Sequence, residues 1–110
     1  LAVVPVGVTI RIYDLTDDSA PVLAIIEDAI KDLLYTVRPY IAGADGENRN
    51  DVLYLSQVVN AIATALGNTV FFSNVTMEID SSLVTSYAFA QDPTTYGEYP
   101  YLELLEDLTT

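Results

Sequence analysis

Residues 53–80 read LYLSQVVNAIATALGNTVFFSNVTMEID, and this run decides the fold. Ser56 stands where an N-cap belongs, its hydroxyl placed to accept a free N–H of a first helical turn. In QVVNAIATAL that follows, Val58, Val59, Ile62 and Leu66 share one helical face. Gly67 comes next, at the position where a helix ends in a left-handed residue. NVTMEID then alternates Val75, Met77 and Ile79 against Thr76, Glu78 and Asp80, the pattern of a half-buried antiparallel strand. A cap, a helix, a stop and a strand therefore occupy one short run.

The flanking sequence supplies the remaining elements. In VGVTIRIY, residues 6–13, Val6, Val8, Ile10 and Ile12 oppose Gly7, Thr9, Arg11 and Tyr13, so this segment reads as a strand. Pro5 suits its start or a free edge, where no ladder bond is lost. DLTDDSAPV breaks the strand and opens a helix, with Asp18 or Ser19 as its cap and Pro21 in the first turn. From Val22 to Val37 an apolar stripe recurs at helical spacing, with Glu27, Asp28, Lys31 and Asp32 mostly opposite. Pro39 disfavours helical geometry at Arg38 and ends the helix there. Residues 42–51, AGADGENRND, form a polar connection, and VLYL is a short extended piece. Beyond Asp80, DSS turns the chain into LVTSYAFA, in which Leu83, Thr85, Tyr87 and Phe89 alternate with small residues as the second strand of a hairpin. The final stretch, DPTTYGEYPYLELLEDLTT, starts as a loop and ends in a leucine-rich acidic segment whose periodicity assigns it no structure.

The order is strand, helix, short strand, helix, strand, strand. The expected fold is α+β: a small, mostly antiparallel sheet with two amphipathic helices packed on one face. Residues 1–110 read as a single domain, and the initial Leu suggests one excised from a longer chain. Residues 94–110 are expected to form a tail segment engaged in partner contacts.

Composition narrows the function. With no histidine and no cysteine, Ser-His-Asp and Cys-His chemistry, zinc–thiolate sites and disulfides are excluded. Half of the residues are hydrophobic, enough for a core without such staples. Sixteen acidic against four basic residues give a net charge of −12, which repels phosphate backbones and anionic membranes. Nucleic acid is therefore not an expected partner, and no apolar run is long enough to span a bilayer. Asp45, Glu47, Asn48, Asn50 and Asp51 form the best hard-cation candidate, but without the spacing or terminal Glu of an EF-hand they read as a solvated loop. No metal or other cofactor is expected. Asp17 and Asp18 suit a helix start, and Glu78 and Asp80 the solvent face of a strand, better than an acid–base pair. Asn74-Val75-Thr76 matches a glycosylation acceptor but lies inside the expected strand.

Tyrosine is the abundant oddity. There are eight, with Tyr96, Tyr99 and Tyr101 clustered beside Leu102, Leu104, Leu105 and Leu108. Tyrosine is enriched at interfaces because it buries a large ring while keeping a wet hydroxyl. Tyr96, Tyr99, Tyr101, Leu102 and Leu105 are therefore interface candidates, with packing on the chain's own sheet as the competing reading. The edge of the first strand is a second candidate for pairing with another chain.

Taken together, VTIRIY, VLAIIEDAIKDLL, the Ser-capped LYLSQVVNAIATALG, NVTMEID and the late GEYPYLELL resemble the C-terminal region of baseplate J-like proteins, wedge components of contractile phage tails and related injection systems. The resemblance spans residues 6–108. It implies a structural assembly module that binds other baseplate or tail proteins in a virion tail or injection particle and is made in the cytoplasm of a producing bacterium. It carries no catalytic residues, and Ser56 and Gly67 match its motif only as helix cap and helix stop. Two alternatives stand beside it: a ring-forming tail-completion protein, which would be a homo-oligomer, and a small acidic module binding calcium or another ligand.

Overall fold

The computed structural model describes residues 2–37, 52–89, 91–92 and 96–109. Strand β1, Ala2–Tyr13, follows the alternation of its sequence: Val6, Val8, Ile10 and Ile12 are buried, while Thr9, Arg11 and Tyr13 stay half-buried on the opposite face. It forms the centre of the molecule. On one side β3, Asn74–Ile79, pairs antiparallel from Val8↔Ile79 to Tyr13↔Asn74. On the other side β7, Tyr96–Leu108, runs parallel from Ala2↔Tyr96 to Tyr13↔Leu108. The expectation that the edge of the first strand is open is therefore corrected, because the tail segment is a strand that covers it. Pro5 lies where only β7 flanks β1, so its missing N–H removes no bond to β3.

With β4, Ser82–Val84, and β6, Gln91–Asp92, the sheet has the order β4-β3-β1-β7-β6. Among the described residues only the β1–β7 pair of this sheet is parallel; β1–β3, β3–β4 and β6–β7 are antiparallel. The fold is α+β with a mostly antiparallel sheet, as its sequence suggests.

Helix α1, Ala20–Thr36, buries Ile26, Ile30 and Leu34, and stops at Val37, two residues before Pro39. Ser19 is its N-cap by position, and its carbonyl accepts the Leu23 N–H at 3.0 Å. The Ser19 side chain makes no cap bond to the helix. Its N–H and hydroxyl serve Asp17 instead, the N–H at 3.0 Å from Asp17 Oδ1. Helix α2, Leu55–Leu66, starts two residues earlier than expected, so Tyr54 occupies the N-cap and Ser56 is the second helical residue. Two bonds set that start: Gln57 Oε1 accepts the Tyr54 N–H at 3.0 Å, and Leu55 donates to the Thr85 carbonyl at 2.8 Å. Gly67 ends α2 at φ 64°, ψ −136°, a conformation open to glycine and strained for any residue with a side chain.

The hairpin expected after β3 is present but shorter. Asp80 and Ser81 both take positive φ, 56° and 64°, and join Ile79 to Ser82 as a two-residue type I′ turn. The second strand does not continue to residue 90, however. It breaks at Thr85, and β5, Ser86–Ala88, leaves to pair antiparallel with β2, Val52–Tyr54, in a separate two-stranded sheet. Leu83 consequently projects into solvent, while Tyr87 is half-buried and Phe89 is buried. Tyr87 and Phe89 meet edge-to-face at 4.9 Å. Both helices sit on the β1 face that carries Val6 to Ile12, and the core between them and the sheet is wholly apolar among the described residues.

Candidate functional site

Strand β7 combines long reach with incomplete cover. Its inner edge pairs with β1 throughout, whereas β6 pairs only with Tyr96 and Gly97 on its outer edge. Among the described residues, no strand flanks the outer edge from 99 to 108, so a row of backbone N–H and C=O groups faces outward there.

A bulge sets which side chains line that edge. Up to Leu102, β7 alternates regularly: Pro100 and Leu102 turn toward the helices, and Tyr99 and Tyr101 stay exposed. The register then shifts between Val8 and Thr9, and Glu103 is the additional residue. Beyond it Leu105 returns to the core, while Leu104 and Glu106 fall on the face away from the helices, beside Thr9 and Arg11. Gly7 fits the same feature. A side chain there would meet the carboxylate and the stem of Glu103, so the absent Cβ leaves room for the bulge residue.

Two hollows follow the seam between α1 and β7. One, of about 570 Å3, lies between Leu34, Tyr35 and Val37 of the helix end and Tyr99 to Leu102 of the strand, with Lys31 at its rim. The other lies between Ala20, Leu23, Ala24 and Glu27 of the helix and Leu105 and Asp107 of the strand. No α2 residue lines either hollow, so both open on the flank of α1 that carries the outer edge of β7. Lys31 Nζ bonds Glu27 Oε1 at 2.9 Å one turn away, and that carboxylate holds the ammonium pKa above its ordinary value.

The opposite face of the sheet is acidic. Arg11 is its bridge, with Nη1 2.5 Å from Glu78 on β3 and Nε 3.1 Å from Glu106 on β7, and these bonds raise its pKa further, Glu78 first. A polar concavity beside them is lined by Thr9, Glu78, Asp80 and Glu103. On β5, burial raises the pKa of Tyr87, and the Glu98 and Asp80 carboxylates add to this, Glu98 also accepting a hydrogen bond from it. Asp17 moves the other way, lowered by the Ser19 N–H.

Of the interface candidates, Tyr99 and Tyr101 are exposed at 39% and 42% and lie on the rim of the larger hollow. Leu102 and Leu105 pack against the core, so they hold β7 in place before they can touch anything else. The backbone of Tyr96 opens β7, and its side chain lies outside the described residues, as does the whole calcium candidate Asp45, Glu47, Asn50 and Asp51. Sequence reading missed Leu104, exposed at 44%, because the bulge moves it to the open face, and Tyr35, exposed at 77%, because it sits on a helix far in sequence from the tyrosine cluster it faces. Among the described residues no three acidic side chains gather as a metal ion would need, and no helix is long and apolar enough to cross a membrane. No family model matches the chain, and no curated protein matches it.

Proposed function

We propose that the chain is a structural assembly module of a phage-tail-like baseplate, acting through protein–protein interfaces and without bond chemistry. The observation that carries an interaction role is β7, a long strand with exposed Tyr99, Tyr101 and Leu104 on it and an outer edge unpaired among the described residues. Aromatic and aliphatic side chains around an open edge are what strand-mediated association uses. The assignment to a baseplate wedge rests on the resemblance of VTIRIY, LYLSQVVNAIATALG, NVTMEID and GEYPYLELL to baseplate J-like proteins. On this reading its partners are other tail or baseplate proteins, and it resides in the assembled particle after synthesis in the host cytoplasm.

The test is affinity capture of the tagged protein from its native host, followed by mass spectrometry. Recovery of tail-tube, sheath or further baseplate proteins is expected. Recovery of the chain alone overturns the proposal.

A further inference from the structure

The surface that offers contact has a definite chemistry, and this deepens the interaction reading just proposed, on which it rests. Three features coincide along residues 99–108. The backbone edge is free of a strand partner among the described residues. The α1 side of that edge carries two hollows in series, an apolar one walled by Leu34, Val37, Pro100 and Leu102, and a mixed one in which Leu23 and Leu105 stand beside the carboxylates of Glu27 and Asp107. The opposite side is acidic, with Glu103, Glu106, Glu78 and Asp80 set, among the described residues, against the guanidinium of Arg11. Between Tyr96 and Leu108 the strand contains four carboxylates and no Lys or Arg.

A strand added to this edge would place alternate side chains on those two unlike sides. We propose that the outer edge of β7 receives an extended segment of a basic partner protein, with apolar residues in the hollows beside α1 alternating with Lys or Arg over the acidic face. Tyr99 and Tyr101, on the rim of the larger hollow, flank the incoming backbone. A second copy of this chain is the poorer occupant. It would bring another −12 of charge and set one acidic β7 against another.

The experiment is amide hydrogen exchange on the full chain with a synthetic peptide alternating valine and lysine over the length of β7. Protection of amides within 99–108 is expected, together with its loss when glutamate replaces lysine in the peptide. Glu103→Lys, at an exposed position, should weaken the valine–lysine peptide by about tenfold without lowering the denaturation midpoint, since it removes one carboxylate from an acidic face. Protection elsewhere, or none, overturns the proposal. So does slow exchange of every amide from 99 to 108 in the free monomer, because the edge would then already be paired. Dimerisation through β7 overturns it in favour of a second copy. If tail proteins co-purify while the peptide leaves β7 unprotected, the edge assignment fails and the assembly reading stands. Protection of β7 with no tail proteins captured gives the reverse.

Discussion

Ser56 illustrates how a residue of the right type can sit beside its expected role. It has the chemistry of an N-cap, yet α2 starts at Leu55 because the Thr85 carbonyl takes the Leu55 N–H and Gln57 folds back onto Tyr54. A side chain in place of a cap normally costs about 1 kcal/mol when truncated. Ser56→Ala should therefore cost under about 0.5 kcal/mol, the range of ordinary surface changes, as measured by urea denaturation. Tyr87 makes a different prediction. Its folded pKa is raised above the ordinary 10.0, chiefly by burial and then by the Glu98 and Asp80 carboxylates. Below the unfolded value the phenol is neutral in both states and its contribution is complete. As pH rises from there through the folded value, the unfolded chain ionises first and stability falls. Denaturation midpoints should drop above about pH 10, and Tyr87→Phe should make that drop shallower. Tyrosinate absorbance should show the residue ionising late.

The type I′ turn at Asp80–Ser81 joins β3 to β4 with two residues whose side chains both resist positive φ. Asn-Gly is the pair best suited to that geometry. Asp80→Asn combined with Ser81→Gly should raise stability by about 0.5–1 kcal/mol, read from the thermal midpoint. The same comparison of local pattern with local geometry shows which elements were legible. β1 from Val6 to Tyr13 and α1 from Ile26 to Leu34 each bury one face and leave the other more exposed, so their periodicity was intact, and Gly67 marked a real stop. β7 was not legible because its helix-facing residues fall at 100, 102 and then 105, and the step of three at Glu103 destroys a period of two. The second hairpin strand was overextended because 83–89 keep their alternation while the backbone changes sheets at Thr85. For the candidate site, composition pointed to Tyr99 and Tyr101. Leu104 required the bulge, and Tyr35 required the packing of α1 along β7.

Taken as one body, the molecule places an apolar core under an acidic skin, and the two respond differently to truncation. Ile10 is fully buried on the central strand, in register with Met77 on one side and Leu105 on the other. Ile10→Ala should cost about 2–5 kcal/mol in chemical denaturation. Leu83→Ala, at a position 68% exposed, should stay within about 0.5 kcal/mol. Arg11 ties β3 and β7 across β1 through Glu78 and Glu106, so one cation on that face links the strands on either side of the centre.

The parallel ladder between β1 and β7 joins residues 94 or 95 positions apart, from Ala2 with Tyr96 to Thr9 with Leu104. On a ribosome, the strand at the heart of the sheet is therefore made long before its principal neighbour. Until Leu108 has emerged, the nascent polypeptide holds Val6 to Ile12 with one flank bare, a sticky intermediate that chaperones can hold and other chains can capture. Closure comes late and depends on a segment rich in carboxylates, so an acidic strand decides when the central sheet is complete.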